Sequence, residues 1–242
     1  MKIIKLNAID STNTFLKNLA NDKQTENFTI VVAEHQTKGK GQRGSDWLVD
    51  SGKNLTFSVL CNFLTSEINL FSLNIIVAIS IVEGLKTKSN LNFEIKWPND
   101  ILADNKKIAG ILIENSFKSQ HEIQSIIGVG INVNQDYFEN LPQASSMFIL
   151  ENKIFDKEEL MIGIVNELKK NLEEVKSVGE DYFWNKYHDL LFKKGKVSAF
   201  EDKLGVRFVG KIIGVNKEGK LKVELENEAI TFYDLKEIKL LY

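Results

Sequence analysis

Between Gln36 and Trp47 the chain reads Gln-Thr-Lys-Gly-Lys-Gly-Gln-Arg-Gly-Ser-Asp-Trp, with Gly39, Gly41 and Gly44 set among Lys38, Lys40 and Arg43. Glycine leaves backbone N–H groups unshielded, and neighbouring cationic side chains hold anionic oxygens, so the composition suits a phosphate or an adenylate. Residues 39–44 match G-x-G-x-x-G letter for letter, but a dinucleotide fingerprint must open a helix. Ser45 to Asn54, with Asp46, Asp50, Gly52 and Asn54, has no helical period and leads into a strand, so that reading is set aside. The competing reading is a surface hairpin with solvated charges.

A second group is Lys96-Trp97-Pro98-Asn99-Asp100. Alternation puts Glu94 and Lys96 on one face and Phe93, Ile95 and Trp97 on the other, and Pro98 ends the strand. A lysine held at a strand end can neutralise a carboxylate and a phosphate as they approach each other, which acyl-adenylate formation requires. A lone lysine is otherwise most often a solvated surface group. Asn132 closes the run Gly128-Val129-Gly130-Ile131-Asn132, where two glycines admit another backbone or a ligand. Its amide would fix a nucleotide ring or satisfy a neighbouring turn.

Other chemistries are excluded. Cys61 sits among Thr56, Phe57, Val59, Leu60 and Phe63 without a base at diagnostic spacing, as a buried structural thiol does. His35, His121 and His188 are scattered without metal-ligand spacing, so no protein-held metal is expected. Walker A, G-x-S-x-G and H-E-x-x-H patterns are all missing from the sequence.

The elements that must position these residues alternate between strands and helices. Lys2 to Ile9 reads as a strand, and Ser11 caps a helix whose apolar face is Phe15, Leu16 and Leu19. Strands are expected over Phe28 to Ala33, Leu55 to Phe63 and Phe93 to Trp97, with a buried helix over Phe71 to Lys86. Ile101 to Asp104 and Lys107 to Glu114 flank a turn at Asn105-Lys106, and Ile123 to Val133 follows as a long strand. Asp156 and Glu159 form a capping-box-like helix start, with Leu160, Ile164, Leu168 and Leu172 along one face. A last helix covers Asp181 to Leu191. Short strands then follow over Lys196 to Phe200, Val206 to Val215, Lys220 to Leu225 and Ala229 to Tyr233, as in a small barrel. This predicts an α+β fold with a mostly antiparallel sheet covered by helices, divided into residues 1–192 and 193–242.

With 31 basic against 33 acidic residues, the net charge of -2 supplies no overall field toward nucleic acid or anionic lipid. The most apolar stretch, Phe71 to Leu85, is interrupted by polar residues and falls short of the ~20 apolar residues that span a bilayer. A single cysteine excludes an internal disulfide, and no leader-like segment opens the chain, so a cytoplasmic setting is expected.

Taken in order, Ser11-Thr12-Asn13, Gln36, the Gly39 to Trp47 loop, Lys96 to Asp100, Lys107-Ile108-Ala109-Gly110-Ile111-Leu112 and Gly128 to Asn132 resemble the biotin protein ligase family. The resemblance runs from Asp10 to Asn134 by motif and, by strand pattern only, into the C-terminal segment. It implies a class II synthetase-like catalytic core followed by an SH3-like barrel, with ATP and biotin as substrates and Mg²⁺ accompanying ATP. In the reaction it implies, the biotin carboxylate attacks the α-phosphate of ATP. A lysine of a biotin carboxyl carrier protein domain, part of a biotin-dependent carboxylase, then takes the biotinyl group. No enzyme nucleophile is needed, only positioning and positive charge.

By the same resemblance Lys96 would be catalytic, and Ser11, Thr12, Asn13, Gln36, Lys40, Gly41, Gln42 and Gly110 would bind biotin. Arg43, Trp47, Asn99, Lys107 and Asn132 would surround the adenylate. Gln42 and Ser45 depart from the family pattern, which commonly has basic residues there, so a looser grip on the intermediate is implied unless Lys38, Lys40 or Arg43 compensates. Ten residues precede Ser11, too few for the DNA-binding winged helix of some members, so neither nucleic acid nor membrane is an expected partner, and the chain would act as a monomer or homodimer. The alternatives are a lipoate or octanoate ligase with the same core, and a non-enzymatic module gripping RNA through the loop around Lys38 to Lys53.

Overall fold

The computed structural model describes the chain except for Lys23, Leu48, Val49, residues 65–67, His121 and Asn140, and except for the side chains of Arg43 and Leu64. The strands β1 (Ile3–Ile9) and β2 (Ile30–Gln36) are joined through α1 (Thr12–Leu19) and pair in parallel. There follow β3 (Leu55–Leu64), α2 (Leu70–Lys86), β4 (Phe93–Lys96), β5 (Asp100–Ala103), β6 (Lys106–Phe117) and β7 (Glu122–Ile131). The seven strands form one sheet in the order β1-β2-β3-β7-β6-β5-β4, antiparallel at every pairing after the first. The expected mixed, mostly antiparallel sheet is therefore present.

Strand periodicity divides the sheet into two faces. Leu55, Phe57, Val59, Cys61 and Phe63 of β3, with Ile123, Ile127, Val129 and Ile131 of β7, join the main core beneath the helices. The opposite face carries a smaller cluster, Leu16, Ala20, Val31, Leu60 and Ile126, under α1. Ser11 caps α1 by accepting the Thr14 N–H at 3.4 Å. Two buried faces account for the nearly unbroken apolar runs of these strands.

The helix α2 is buried almost all round, and it packs on α4 (Lys157–Val178), reached through α3 (Met147–Glu151). Gly84 of α2 lies so close to α4 that a Cβ there would stand 2.6 Å from Ile164 Cα. Asp156 accepts the N–H groups of Glu158 and Glu159 at 2.8 and 3.0 Å, but Glu159 pairs outward with Lys88 at 2.7 Å. The expected capping box is thus present on one side only.

After α5 (Glu180–Leu190), β8 (Val197–Asp202), β9 (Arg207–Val215), β10 (Leu221–Leu225), β11 (Ile230–Tyr233) and β12 (Ile238–Leu241) form a second antiparallel sheet ordered β11-β10-β9-β8-β12. Its inward residues Phe200, Ile212, Val215, Leu221, Val223 and Ile238 belong to the same apolar core as the first sheet. The β9–β10 turn is pinned where Trp97 Nε1 donates to Gly219 O at 2.9 Å and where His188 Nε2 accepts the Val215 N–H at 3.0 Å. Among the described residues no helix is long and apolar enough to cross a membrane.

Three sequence expectations shift, and two elements were unforeseen. The β5–β6 turn is Asp104-Asn105, both at left-handed φ (48 and 60°), because short polar side chains tolerate that conformation better than Lys106 does. β2 runs on to Gln36, which is a strand end and not loop, whereas β4 stops at Lys96 before Trp97. Helix α3 and strand β12, neither of them expected, are too short to show a period.

The α2–α4 contact predicts that Gly84→Ala lowers unfolding free energy by about 1–3 kcal/mol through overpacking, read by urea denaturation. Burial lowers the pKa of His188 from its ordinary 6.5, opposed by the Val215 carbonyl oxygen 3.1 Å from Nε2, with Lys194 and Lys217 adding to the lowering and Asp189 opposing it. Its stabilising contribution is therefore complete above pH 6.5 and is lost as pH falls through and below it. Replacing His188 by Gln should flatten the acid limb of a melting-temperature profile below pH 6.5.

Candidate functional site

The register of the sheet assembles the site. Across β3, β7, β6, β5 and β4 one row of neighbouring residues reads Thr56, Gly130, Gly110, Asp100 and Lys96. The adjacent row reads Ser58, Gly128 and Leu112. Both rows lie on the face that carries α1, where a cavity of about 600 Å³ opens between this face and the second sheet.

At one end of the cavity the start of α1 makes a polar cluster. Gln36 Oε1 accepts the Thr12 backbone N–H at 2.7 Å and the Thr12 hydroxyl at 3.0 Å. Asn13 donates through Nδ2 to Glu114 at 2.8 Å and to Leu112 O at 3.3 Å. Ser58, fully buried on β3, lies 2.6 Å from Asn13 Oδ1 and 2.8 Å from Thr12 Oγ1, and its hydroxyl donates within this cluster. Ser58 and Glu114 escaped the sequence reading, although period-two alternation from Thr56 to Ser58 was a usable signal. Gly128 exists for Asn13: any Cβ there would run into the Asn13 amide.

At the other end one carboxylate holds two lysines. Asp100 Oδ2 accepts from Lys96 Nζ at 3.0 Å, and Asp100 Oδ1 pairs with Lys107 Nζ at 2.6 Å. The Asp100 side chain is 11% exposed, against 22% for Lys96 and 33% for Lys107, so water screens this triad only in part. Lys96 also lies over the Tyr242 ring, 5.5 Å from its centroid. Burial, and secondarily the Asp100 charge, pushes the Tyr242 hydroxyl up to about 12, so it stays a neutral donor through the neutral range. Neither Asp100 nor Tyr242 was singled out in the sequence. Asp100 closed the Lys96 to Asp100 motif without a role of its own.

The glycine segment is a small hairpin over the same floor. Gly41 N donates to Ser45 O at 2.6 Å, Trp47 N to Gly39 O at 3.0 Å and Ser45 N to Gln42 O at 3.2 Å, around a 3-10 turn at Gln42–Gly44. Three of the amides expected to face a phosphate are thereby spent inside the loop. Among the described residues the next element after the turn is β3, in keeping with the rejected dinucleotide reading. Trp47 lies on the glycine row, its indole against Gly130 and 3.1 Å from where a Gly110 Cβ would be. The indole N–H is buried without a partner among the described residues, and Lys107 Nζ stands 5.6 Å from the ring centroid. The close approach expected at the β7 glycines is thus made by Asn13 and Trp47.

Ser11, Thr12, Asn13, Gln36, Lys40, Gly41, Gln42, Trp47, Lys96, Asn99, Lys107 and Gly110 all line the cavity. The side chain of Arg43 lies outside the described residues. Asn132 is not in the lining: it is buried, and its amide donates to Ser145 O at 3.0 Å, behind Lys107. Asn99 donates to Ile111 O at 2.7 Å, which fixes the turn after Pro98. Cys61 is buried in the core, and among the described residues no three His, Cys, Asp or Glu side chains group as metal ligands.

A family model described as the biotin/lipoate A/B protein ligase family matches residues 6–132 of the 242. Among curated relatives, the bifunctional ligase/repressor BirA of Bacillus spizizenii is 29% identical over 234 residues, covering 93% of this chain and 70% of its own. The biotin--[acetyl-CoA-carboxylase] ligase of Mycobacterium tuberculosis is 27% identical over 166 residues, 67% of this chain and 60% of its own. A solved structure of the Aquifex aeolicus biotin protein ligase in complex with biotin and ATP superposes with a TM-score of 0.81 at 28% identity, covering 99% of this chain and 98% of that one. The fold is that of a ligase. The chain belongs to the biotin/lipoate A/B protein ligase family.

The glycine row yields a direct test. Gly130→Ala forces Trp47 off the sheet, so tryptophan emission should shift to the red relative to the parent, and the shift should vanish in a Trp47→Phe background. Unchanged emission would show that Trp47 does not rest on this row.

Proposed function

We propose that this ligase activates biotin with ATP and transfers it to a lysine of a biotin carboxyl carrier protein domain. The observation that carries this reading is the Asp100-bridged pair Lys96 and Lys107 in one cavity with the Thr12, Asn13 and Gln36 cluster. The likeness to the Aquifex aeolicus ligase that holds biotin and ATP supports the choice of substrates. A bicyclic ureido ring requires both donors and acceptors in a largely enclosed pocket, and the start of α1 supplies them. A simple alkyl acid makes no such demand, which favours biotin over lipoate or octanoate.

In the first step the biotin carboxylate attacks the α-phosphate and pyrophosphate leaves. Both partners are anionic, so their approach is the barrier that two fixed ammonium groups lower. Asp100 holds Lys96 and Lys107 together where their mutual repulsion would separate them, and leaves the triad with one net positive charge. Lys40, Gly41, Gln42 and Arg43 cover the mixed anhydride, and Trp47 shields it from water. Asn132 supports the adenylate side through the Ser145 and Lys107 backbone instead of by direct contact. In the second step the carrier lysine attacks the acyl carbon and AMP leaves, with no covalent enzyme intermediate. Magnesium enters on the phosphates of ATP, as part of the substrate.

We assign residues 1–192 to the catalytic domain and 193–242 to a small accessory domain whose Tyr242 and Leu240 complete the cavity wall.

Incubation with ATP, labelled biotin and a carrier domain should attach one biotin mass to that domain, and lipoic acid in excess should compete poorly. An unlabelled carrier that a known ligase does label would defeat the proposal. Replacing either Lys96 or Lys107 by Ala should slow adenylate formation, followed by pyrophosphate exchange, by about 10²–10³-fold. Full exchange in Lys96→Ala would transfer the catalytic role to Lys107.

A further inference from the structure

The glycine hairpin is secured at both ends by bonds that the chemistry above does not use. At its start Thr37 N donates to Ile9 O and Lys38 N to Asp10 O, each at 2.9 Å, and Lys38 Nζ pairs with Asp10 at 3.0 Å. Beyond its end Gly52 N donates to Glu34 O at 3.0 Å and Lys53 pairs with Asp136 at 2.6 Å, and one buried side chain holds two further donors. Gln135 Oε1 accepts from Asp50 N at 3.2 Å and from Asn54 Nδ2 at 2.5 Å, while Gln135 Nε2 donates to Tyr137 O at 2.7 Å. Gln135 is 6% exposed and Asn54 3%. Asn54 in turn accepts the Val133 N–H at 2.9 Å, so the two amides tie the exit of the hairpin to the end of β7.

The segment that starts at Gln135 also reaches the lysine end of the cavity. Ser146 Oγ donates to Gln135 O at 2.5 Å, Lys107 N to Gln143 O at 2.7 Å and Ser145 N to Lys107 O at 3.0 Å. Gln135 therefore stands where the exit of the hairpin meets the chain that runs along Lys107. Removing its oxygen would strand two donors, one of them the buried Asn54 amide, and a buried donor without a partner moves to find water.

We infer that Gln135 is a positioning residue for the substrate loop: it fixes the Asp50 to Asn54 exit so that Trp47 rests on the glycine row and Lys40 and Gln42 line the cavity. It touches no reacting atom. The inference rests on the proposed function only for its kinetic consequence, a loss of grip on the acid substrate and its adenylate.

The test uses the full chain with Gln135→Leu and Gln135→Glu. The glutamate keeps an oxygen at the same reach, able to accept from Asp50 N and Asn54 Nδ2, and gives up the donation to Tyr137 O. In the ligand-free protein, trypsin should cut after Lys40 and Arg43 about ten-fold faster in the leucine variant, as the loss of one buried hydrogen bond implies. Cutting after the remote Lys203 should not change, and the glutamate variant should return to within about three-fold of the parent. In the biotin assay the leucine variant should show a KM for biotin raised about ten-fold with kcat changed less than about two-fold. Unaltered cutting of the hairpin, an equal acceleration at Lys203, or an unmoved KM in an active leucine variant would each overturn the assignment. A parent chain without biotin turnover would defeat the proposed function and leave the trypsin comparison to decide the anchor.

Discussion

Two ammonium groups on one carboxylate are the constraint around which the site is built. Lys96 and Lys107 repel each other, and in a partly enclosed cavity that repulsion is weakly screened. Asp100 offsets it by taking one lysine on each oxygen, at 3.0 and 2.6 Å. The arrangement requires Asp100 to sit between them. That follows from antiparallel pairing: Lys96 is its cross-strand partner on β4, and Gly110, three residues after Lys107, is its partner on β6. The positive charge of the site is thus a property of a strand register, and the turn around Pro98 exists to set that register.

The same register prepares the floor beside the lysines. Gly130 and Gly110 pair across β7 and β6 in the row that ends at Asp100, so an indole can rest flat on the sheet next to the cations. One row further on, Gly128 makes room for the Asn13 amide. Side chains at these three positions would lift both Trp47 and the start of α1 away from the sheet. The cavity is therefore bounded by backbone on one side and polar tips on the other, which suits a flat substrate with a charged end. The second sheet closes it from above and brings Tyr242 over Lys96.

Much of this was legible before any coordinates. The α1 cap at Ser11, the apolar period of α4, the alternation of Phe93 to Lys96 and the broken pattern of the glycine loop are local signals set by rotamer, backbone and burial preferences within a few residues. They placed the strands and long helices and excluded a dinucleotide fold. Short elements were not legible, since α3 and β12 are too brief to display a period. Nor were partners such as Ser58, Glu114 and Gln135, whose side chains matter only through residues remote in sequence.

What the amino-acid order determined by itself is the inventory: which residues can carry charge, which positions admit a bare backbone, and which segments can bury a face. What the tertiary structure alone decided is who meets whom. A one-residue slip of β6 against β5 would part Asp100 from Gly110 and turn the glycine row toward the helices, with no change in local preference. Register is set by the summed packing of the whole sheet, so chemistry that depends on it cannot be read from a local window.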